Sequence, residues 1–297
     1  MRMTEQANEV RGGNRNLGDA KAARNDEWYT QLSDIENELQ HYEHHFAGKV
    51  VLCNCDDPRV SQFFHYFSHK FKSLGLKKLI TTCYKNQDAD LFSRNKAKRA
   101  VYLEYTGGNG ERVPSANQIG IKKLRGDGDF RSAECVTLLE EADIIVTNPP
   151  FSLFREYVAQ LMEHKKKFLI IGNKNSITCK DIFQHIKENR LWLGASSPSK
   201  FVRPDGSVSK QVQGLSRWFT NLEYRRWRND LIPYKRYRAS EYPKYDNYDA
   251  INVDKTAHIP KDYNGVMGVP ISFMDKFNPK HFEIIGNEYD LNISKGR

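Results

Sequence analysis

Hydrophobic positions along the chain switch repeatedly between two spacings. Over residues 31–46, Leu32, Ile35, Leu39, Tyr42 and Phe46 recur three or four apart, which predicts an amphipathic helix. Residues 49–55 (KVVLCNC) form a short β-branched apolar run, the mark of a buried strand. Aromatics return to helical spacing over 61–74. Strands are predicted over 78–84 and 100–105, the second ended by the turn Gly107-Gly108-Asn109-Gly110. Then come a helix over 132–141, a strand over 143–147, a helix near 153–164, a strand over 168–172 and a helix near 181–189. Strands alternating with helices predict an α/β chain with parallel crossovers in a doubly wound sheet. Such sheets take ligands beyond the carboxyl ends of their strands, where strand order reverses. The chemistry is therefore expected just after Cys55, Tyr84, Thr147 and Gly172.

The pattern fails at both ends. Residues 1–26 hold few apolar positions and several Gly, Asn and Arg, and read as a mobile arm. After residue 194 the chain becomes rich in Pro, Tyr and Arg with short β-like pieces, an elaboration or a smaller second domain over 195–297.

One tetrapeptide carries chemistry. Asn148-Pro149-Pro150-Phe151 ends the strand DIIVT, and two prolines cannot continue a strand, so main-chain carbonyls are presented rigidly. The Asn148 side-chain oxygen beside the Pro149 carbonyl forms a pair of acceptors for an exocyclic amino group. Phe151 offers a flat face for a base, a stack worth about 1–3 kcal/mol. Asn-Pro is also an ordinary turn dipeptide; placement at a switch-point strand favours the functional reading.

Composition adds less. The 297 residues are 39% hydrophobic and 28% charged, which fits a globular protein of one or two domains. No run approaches the roughly 18 apolar residues of a membrane span, and the polar N-terminus holds no signal-peptide core, so a cytoplasmic chain is expected. A net charge of +9 and a pI near 9.1 favour a polyanionic partner. Five cysteines read as free thiols. Cys53, Cys55 and Cys83 lie on predicted neighbouring strands but lack a fourth ligand at metal-site spacing, so no metal is expected. Residues 217–238 (RWFTNLEYRRWRNDLIPYKRYR) hold seven basic residues against Glu223 and Asp230, with six aromatics interleaved. Arg217, Arg225, Arg226, Arg228, Lys235 and Arg236 are candidate phosphate or base contacts. A solvated basic face over an aromatic core is the bland alternative.

Asn-Pro-Pro-Phe after a hydrophobic strand resembles the catalytic motif of amino-group DNA methyltransferases. The stretches NDEWYTQLSDIENEL (25–39), VVLCNCDDPRVSQFFHYF (50–67), DIIVTNPPF (143–151), KFLIIGNKNSI (167–177) and YDAINVDKTAHIPKDYNGVMGVPISFMDKFNP (248–279) narrow the resemblance to the EcoRI-type adenine-specific family. The resemblance implies a Rossmann-like S-adenosylmethionine-dependent methyltransferase sheet over 27–194, with a DNA target-recognition region over 195–297. It implies transfer of a methyl group to N6 of a flipped-out adenine in duplex DNA, with Asn148, Pro149, Pro150 and Phe151 catalytic.

Cofactor contacts implied in the same way fall on Tyr29 and Thr30, on Asp56, Asp57 and Pro58 after the first strand, on Asp129 and Phe130, and on Asn148, with Tyr84 or Asn86 as substitutes at the end of the second strand. Two departures stand out: the loop after the first strand has no glycine, and no acidic residue ends the second strand. Tyr29 also reads as an anchor for the arm, Asp56 or Asp57 as a helix cap, and 126–130 as a plain Gly/Asp turn. A monomer is expected; a companion restriction endonuclease is left open and is not needed for activity. RNA adenine or cytosine-N4 methylation, and a silent DNA-binding module, are the rival functions.

Overall fold

A computed structural model describes residues 29–55, 57–84, 99–108, 113–199, 201–202, 208–209, 214–224, 231–288 and 290–293. The arm over 1–26, Asp56, Asn86, Arg225, Arg226 and Arg228 lie outside the described residues.

In chain order the elements are β1 (Tyr29–Thr30), α1 (Leu32–Leu39), β2 (Val50–Cys53), α2 (Gln62–His69), β3 (Lys78–Cys83), β4 (Val101–Tyr105) and β5 (Lys122–Lys123). They continue with α3 (Ala133–Glu141), β6 (Ile144–Thr147), α4 (Phe154–Glu163), β7 (Lys167–Asn173), α5 (Lys180–Lys187) and β8 (Trp192–Leu193). Last come β9 (Phe201–Val202), β10 (Val208–Ser209), β11 (Ser216–Thr220), β12 (Ala250–Asn252) and β13 (Val266–Gly268).

Eight strands form one sheet in the order β5-β4-β3-β2-β6-β7-β11-β8. Its centre, β3-β2-β6-β7, is parallel. Every residue of β2 and β6 is buried, as continuous apolar strands covered on both faces must be. Successive side chains point to opposite layers: Val51, Ile144, Val146 and Leu169 toward the layer of α1 and α2, and Leu52, Ile145, Phe168 and Ile170 toward that of α4 and α5. Serine side chains start two of the helices: Ser61 accepts from the Phe64 N–H and Ser132 from the Cys135 N–H.

Three expectations need correction. The helix over 31–46 ends at Leu39, because Tyr42 leaves helical geometry (φ −122°, ψ 2°) and its hydroxyl turns back to Glu38; a 3-10 turn at Glu43–His45 still delivers Phe46 to the core. The sheet is mixed, not wholly parallel: β4 runs antiparallel to β3, and its alternating burial suits a strand near an edge. Finally, β11 lies inside this sheet, antiparallel to β7 and β8, although it follows residue 194. Its Trp218 and Phe219 are buried on opposite faces.

Beyond β11, the parallel pair β12 and β13 accompanies a separate small core of Tyr242, Ile251, Val253, Ile259 and Phe273. Met274 touches both this core and the α4–α5 layer, which seats the C-terminal part against the sheet. No helix among the described residues is long and apolar enough to cross a membrane.

Candidate active site

β2 has β3 on one side and β6 on the other, so the chains leaving β2 and β6 diverge and open the switch-point crevice between them. Both exits are tied down. The Thr147 hydroxyl, at the end of β6, donates to the Asn54 carbonyl, and the buried Tyr157 hydroxyl of α4 donates to Asn54 Oδ1 at 2.5 Å. Burial pushes the Tyr157 hydroxyl well above its ordinary range, so it remains a proton donor.

Cys55 then takes φ 79°, a left-handed turn made without glycine at a cost of about 1–3 kcal/mol. A motif search for a glycine-rich loop misses this position, although the backbone turns there as a glycine would. Asp57 and Pro58 follow, both buried. The Asp57 carboxylate accepts from the Arg59 N–H (2.9 Å) and pairs with its guanidinium (2.9 Å). It does not cap α2, a role filled by Ser61.

The loop 126–130 reaches the same crevice from the other side of β3. Gly128 has φ 82°, and a Cβ there would stand 2.7 Å from Tyr84 Cα, so the loop lies directly on the backbone leaving β3. Phe130 stands edge-on to Tyr157, ring centroids 5.0 Å apart, and its carbonyl accepts from Gln160 Nε2. Tyr157 thus braces Asn54 and Phe130 together. Asp129 is already engaged: both its oxygens take hydrogen bonds from Arg131, whose guanidinium holds the carboxyl below its ordinary value.

Asn148 and Pro149 are buried at the end of β6, and Pro150 and Phe151 are half-buried. Phe151 meets the fully buried Phe201 edge to face, centroids 6.5 Å apart. Phe201 lies on β9, whose antiparallel partner is β1, with Thr30 opposite Phe201 and Tyr29 opposite Val202. Thr30 is therefore brought near the Asn-Pro-Pro-Phe turn through one intervening ring. Its Oγ1 is buried with no hydrogen-bond partner among the described residues.

The basic candidates separate. Arg217, on β11, is mostly shielded; its guanidinium binds Asp275 (3.3 Å) and the Ser216 carbonyl (3.0 Å), so it braces the sheet against the C-terminal part. Lys235 and Arg236 lie in a chain over 231–238 with no regular element; Arg236 is exposed, Lys235 half-buried, and neither forms an ion pair among the described residues. Asn54, Tyr157 and Phe201 were not singled out as site residues from sequence. Asn54 is flanked by the strand's last residues, Tyr157 carries an ordinary helix-core spacing, and Phe201 becomes relevant only through a partner 50 residues away.

A parallel sheet centre whose switch point is flanked by the left-handed turn at Cys55 after β2 and by an Asn-Pro-Pro-Phe turn after β6 defines a Rossmann-like methyltransferase. The family model described as adenine-specific methyltransferase EcoRI matches residues 16–296, and the chain belongs to that family of adenine-specific DNA methyltransferases. It is 50% identical to the Type II methyltransferase M.EcoRI of Escherichia coli, over 95% of this chain and 93% of that one. It is 40% identical to M.MpnI of Mycoplasma pneumoniae and 38% identical to M.MgeORF184P of Mycoplasma genitalium, each over 90% of this chain. No solved structure matches it.

Proposed function

We propose that the chain transfers a methyl group from S-adenosylmethionine to N6 of an adenine swung out of duplex DNA, as the modifying partner of a restriction system. The observation that carries this reading is the Asn148–Phe151 turn at the exit of β6, beside the switch point, with Phe151 half-open against Phe201. A base inside a duplex cannot reach such a turn, so the target must be extruded.

The residues at the crevice fit the cofactor. Thr30 holds a buried hydroxyl without a partner among the described residues, Gly128 permits the close approach of loop 126–130 to Tyr84, and Phe130 is fixed in place by Tyr157. Thr30, the Asp57–Pro58 turn, Tyr84 and Phe130 would hold it. Asp129 is held in place by Arg131 and remains partly exposed, so its carboxylate keeps lone pairs that can accept from the cofactor's adenine amine. When bound, S-adenosylmethionine supplies an electrophilic methyl group on sulfur.

The chain's own contribution is positioning. The Asn148 side-chain oxygen and the Pro149 carbonyl accept the two hydrogens of the target amine, drawing its nitrogen toward tetrahedral geometry and freeing the lone pair for attack. Phe151 stacks on the ring. The methylated amine sheds its proton readily, so no strong base is required; orientation supplies the rate. The segment 231–238 and the small C-terminal core form the recognition region, with Lys235 and Arg236 on phosphates.

Asn148→Ala tests the reading. Tritium transfer to unmethylated genomic DNA is expected to fall by about two orders of magnitude or more, with S-adenosylmethionine affinity by calorimetry within a few-fold of wild type. Turnover like that of wild type overturns the assignment.

A further inference from the structure

The segment 29–38 meets residues 195–199 and 201–202 in a row of successive contacts. At one end are the β rungs Tyr29–Val202 and Thr30–Phe201. Next, Asp34 of α1 accepts from the Ser199 N–H (2.9 Å) and hydroxyl (3.0 Å). One helical turn later, Glu38 accepts from the Ala195 N–H (2.8 Å) and from the Ser196 N–H and hydroxyl (both 2.6 Å). Tyr42 completes the set, donating to Glu38 Oε1 at 2.7 Å. Spacing of i and i+4 puts both carboxylates on one helical face, so a straight helix reads a straight loop in register.

Glu38 is fully buried, and Asp34 nearly so. Burial raises the Glu38 carboxyl above its ordinary value, and its hydrogen bonds to Ser196, Tyr42 and Ala195 offset only part of that rise. A buried carboxylate is an expensive way to join two layers that apolar contacts would join as well. What it adds is direction: each bond fixes a particular N–H or hydroxyl of the loop at one height along α1. The fit leaves no slack, since Gly194 passes between the Glu38 carboxylate and Trp218 so closely that a Cβ would run into both. Two residues beyond Ser199 stands Phe201, the ring that meets Phe151.

We propose that Asp34 and Glu38 are positioning residues for methyl transfer, which set the height of Phe201 against Phe151 and hold it in register with Thr30. The wall that receives the target base and the strand at the cofactor side are thereby one mechanical unit. This rests on the adenine reading above, which wild-type methyl transfer tests separately.

The test uses Glu38→Gln and the milder double variant Ser196→Ala/Ser199→Ala, which removes only the two loop hydroxyls. The substrate is a duplex bearing the site that the wild-type chain methylates, identified from genomic DNA, with 2-aminopurine at the target adenine for the spectroscopic arm. The single-turnover rate is expected to fall about tenfold to a hundredfold in Glu38→Gln and by a smaller factor in the serine variant, since about 1 Å of misplacement has such effects. Affinity for DNA is expected to stay within a few-fold. Emission of 2-aminopurine in the saturated complex is expected to rise as the base loses its stacking wall, a change that a smaller folded fraction does not produce. Rates within twofold of wild type in the folded serine variant overturn the proposal. So does a rate loss that merely tracks the unfolded fraction or leaves the saturated emission unchanged.

Discussion

The parallel centre of the sheet and the strip over residues 231–238, which has no regular element, expose opposite things. In β2, β6 and β7 helices cover both faces, so side chains in mid-strand have no route to a partner and chemistry is confined to the strand ends. In the strip only one side is covered. Leu231, Pro233, Lys235 and Tyr237 are half-buried, while Ile232 (84% exposed), Tyr234 (65% exposed), Arg236 and Arg238 face outward. Tyr237 packs on Tyr242 and Tyr263, which anchors the inner face. A strand buried on both faces fixes geometry; a segment covered on one side leaves the other to offer. The basic run 217–238 looks uniform in sequence but spans both cases, with Arg217 inside the sheet and Arg236 on the strip.

The largest effect that would break this contrast is in the cores. Phe168→Ala, in the sheet, is expected to cost about 3–5 kcal/mol in denaturant unfolding, and Phe273→Ala, in the small C-terminal core, about 3 kcal/mol or less. A greater loss from Phe273 would make the small core the keystone of the fold. Next comes Tyr157→Phe, which leaves the buried Asn54 oxygen without that donor. It is expected to cost about 1–3 kcal/mol and to weaken S-adenosylmethionine binding in calorimetry, while DNA binding holds.

The basic residues sharpen the contrast directly. Changing Lys235 and Arg236 to glutamine should make the salt dependence of DNA affinity shallower by about 1.8, at roughly 0.9 per phosphate contact, in fluorescence anisotropy. Arg217→Gln should leave the slope unchanged and lower the melting temperature, because its partner is Asp275. The reverse pattern would undo the comparison.

The smallest effect concerns pH. The Arg131 guanidinium depresses the Asp129 carboxyl below its ordinary value of 3.8, so this pair stabilises the fold above that pH and stops doing so as pH falls through the lower folded value. Asp129→Asn should therefore be less stable than wild type near about pH 6, by at most about 1 kcal/mol because Arg131 is half-exposed, with the difference vanishing as pH falls through the lowered value of Asp129.

Sequence periodicity recovered the alternating centre well because both signals it reads, burial on two faces and helical spacing, are local. Asn148–Phe151 was legible for the same reason: a double proline at a strand end leaves a mark in four residues. Strand direction was not legible, since β4 and β11 carry the same apolar residues whichever way they run. The pairing of Asp34 with Ser199 was invisible because acidic residues on a helix are ordinarily solvent-facing.

That pairing also has a consequence in time. Glu38 and its loop partner Ala195 are 157 positions apart, and Asp34 and Ser199 are 165 apart. On a ribosome adding about 5–20 residues per second, α1 emerges roughly 8–33 s before the loop that will clasp it. During that interval two acidic side chains destined for burial remain in water, and the helix that bears them has no mate. The first segment of the site to be synthesised is thus among the last to be locked, and the enzyme gains its working geometry only once two-thirds of the chain has been made.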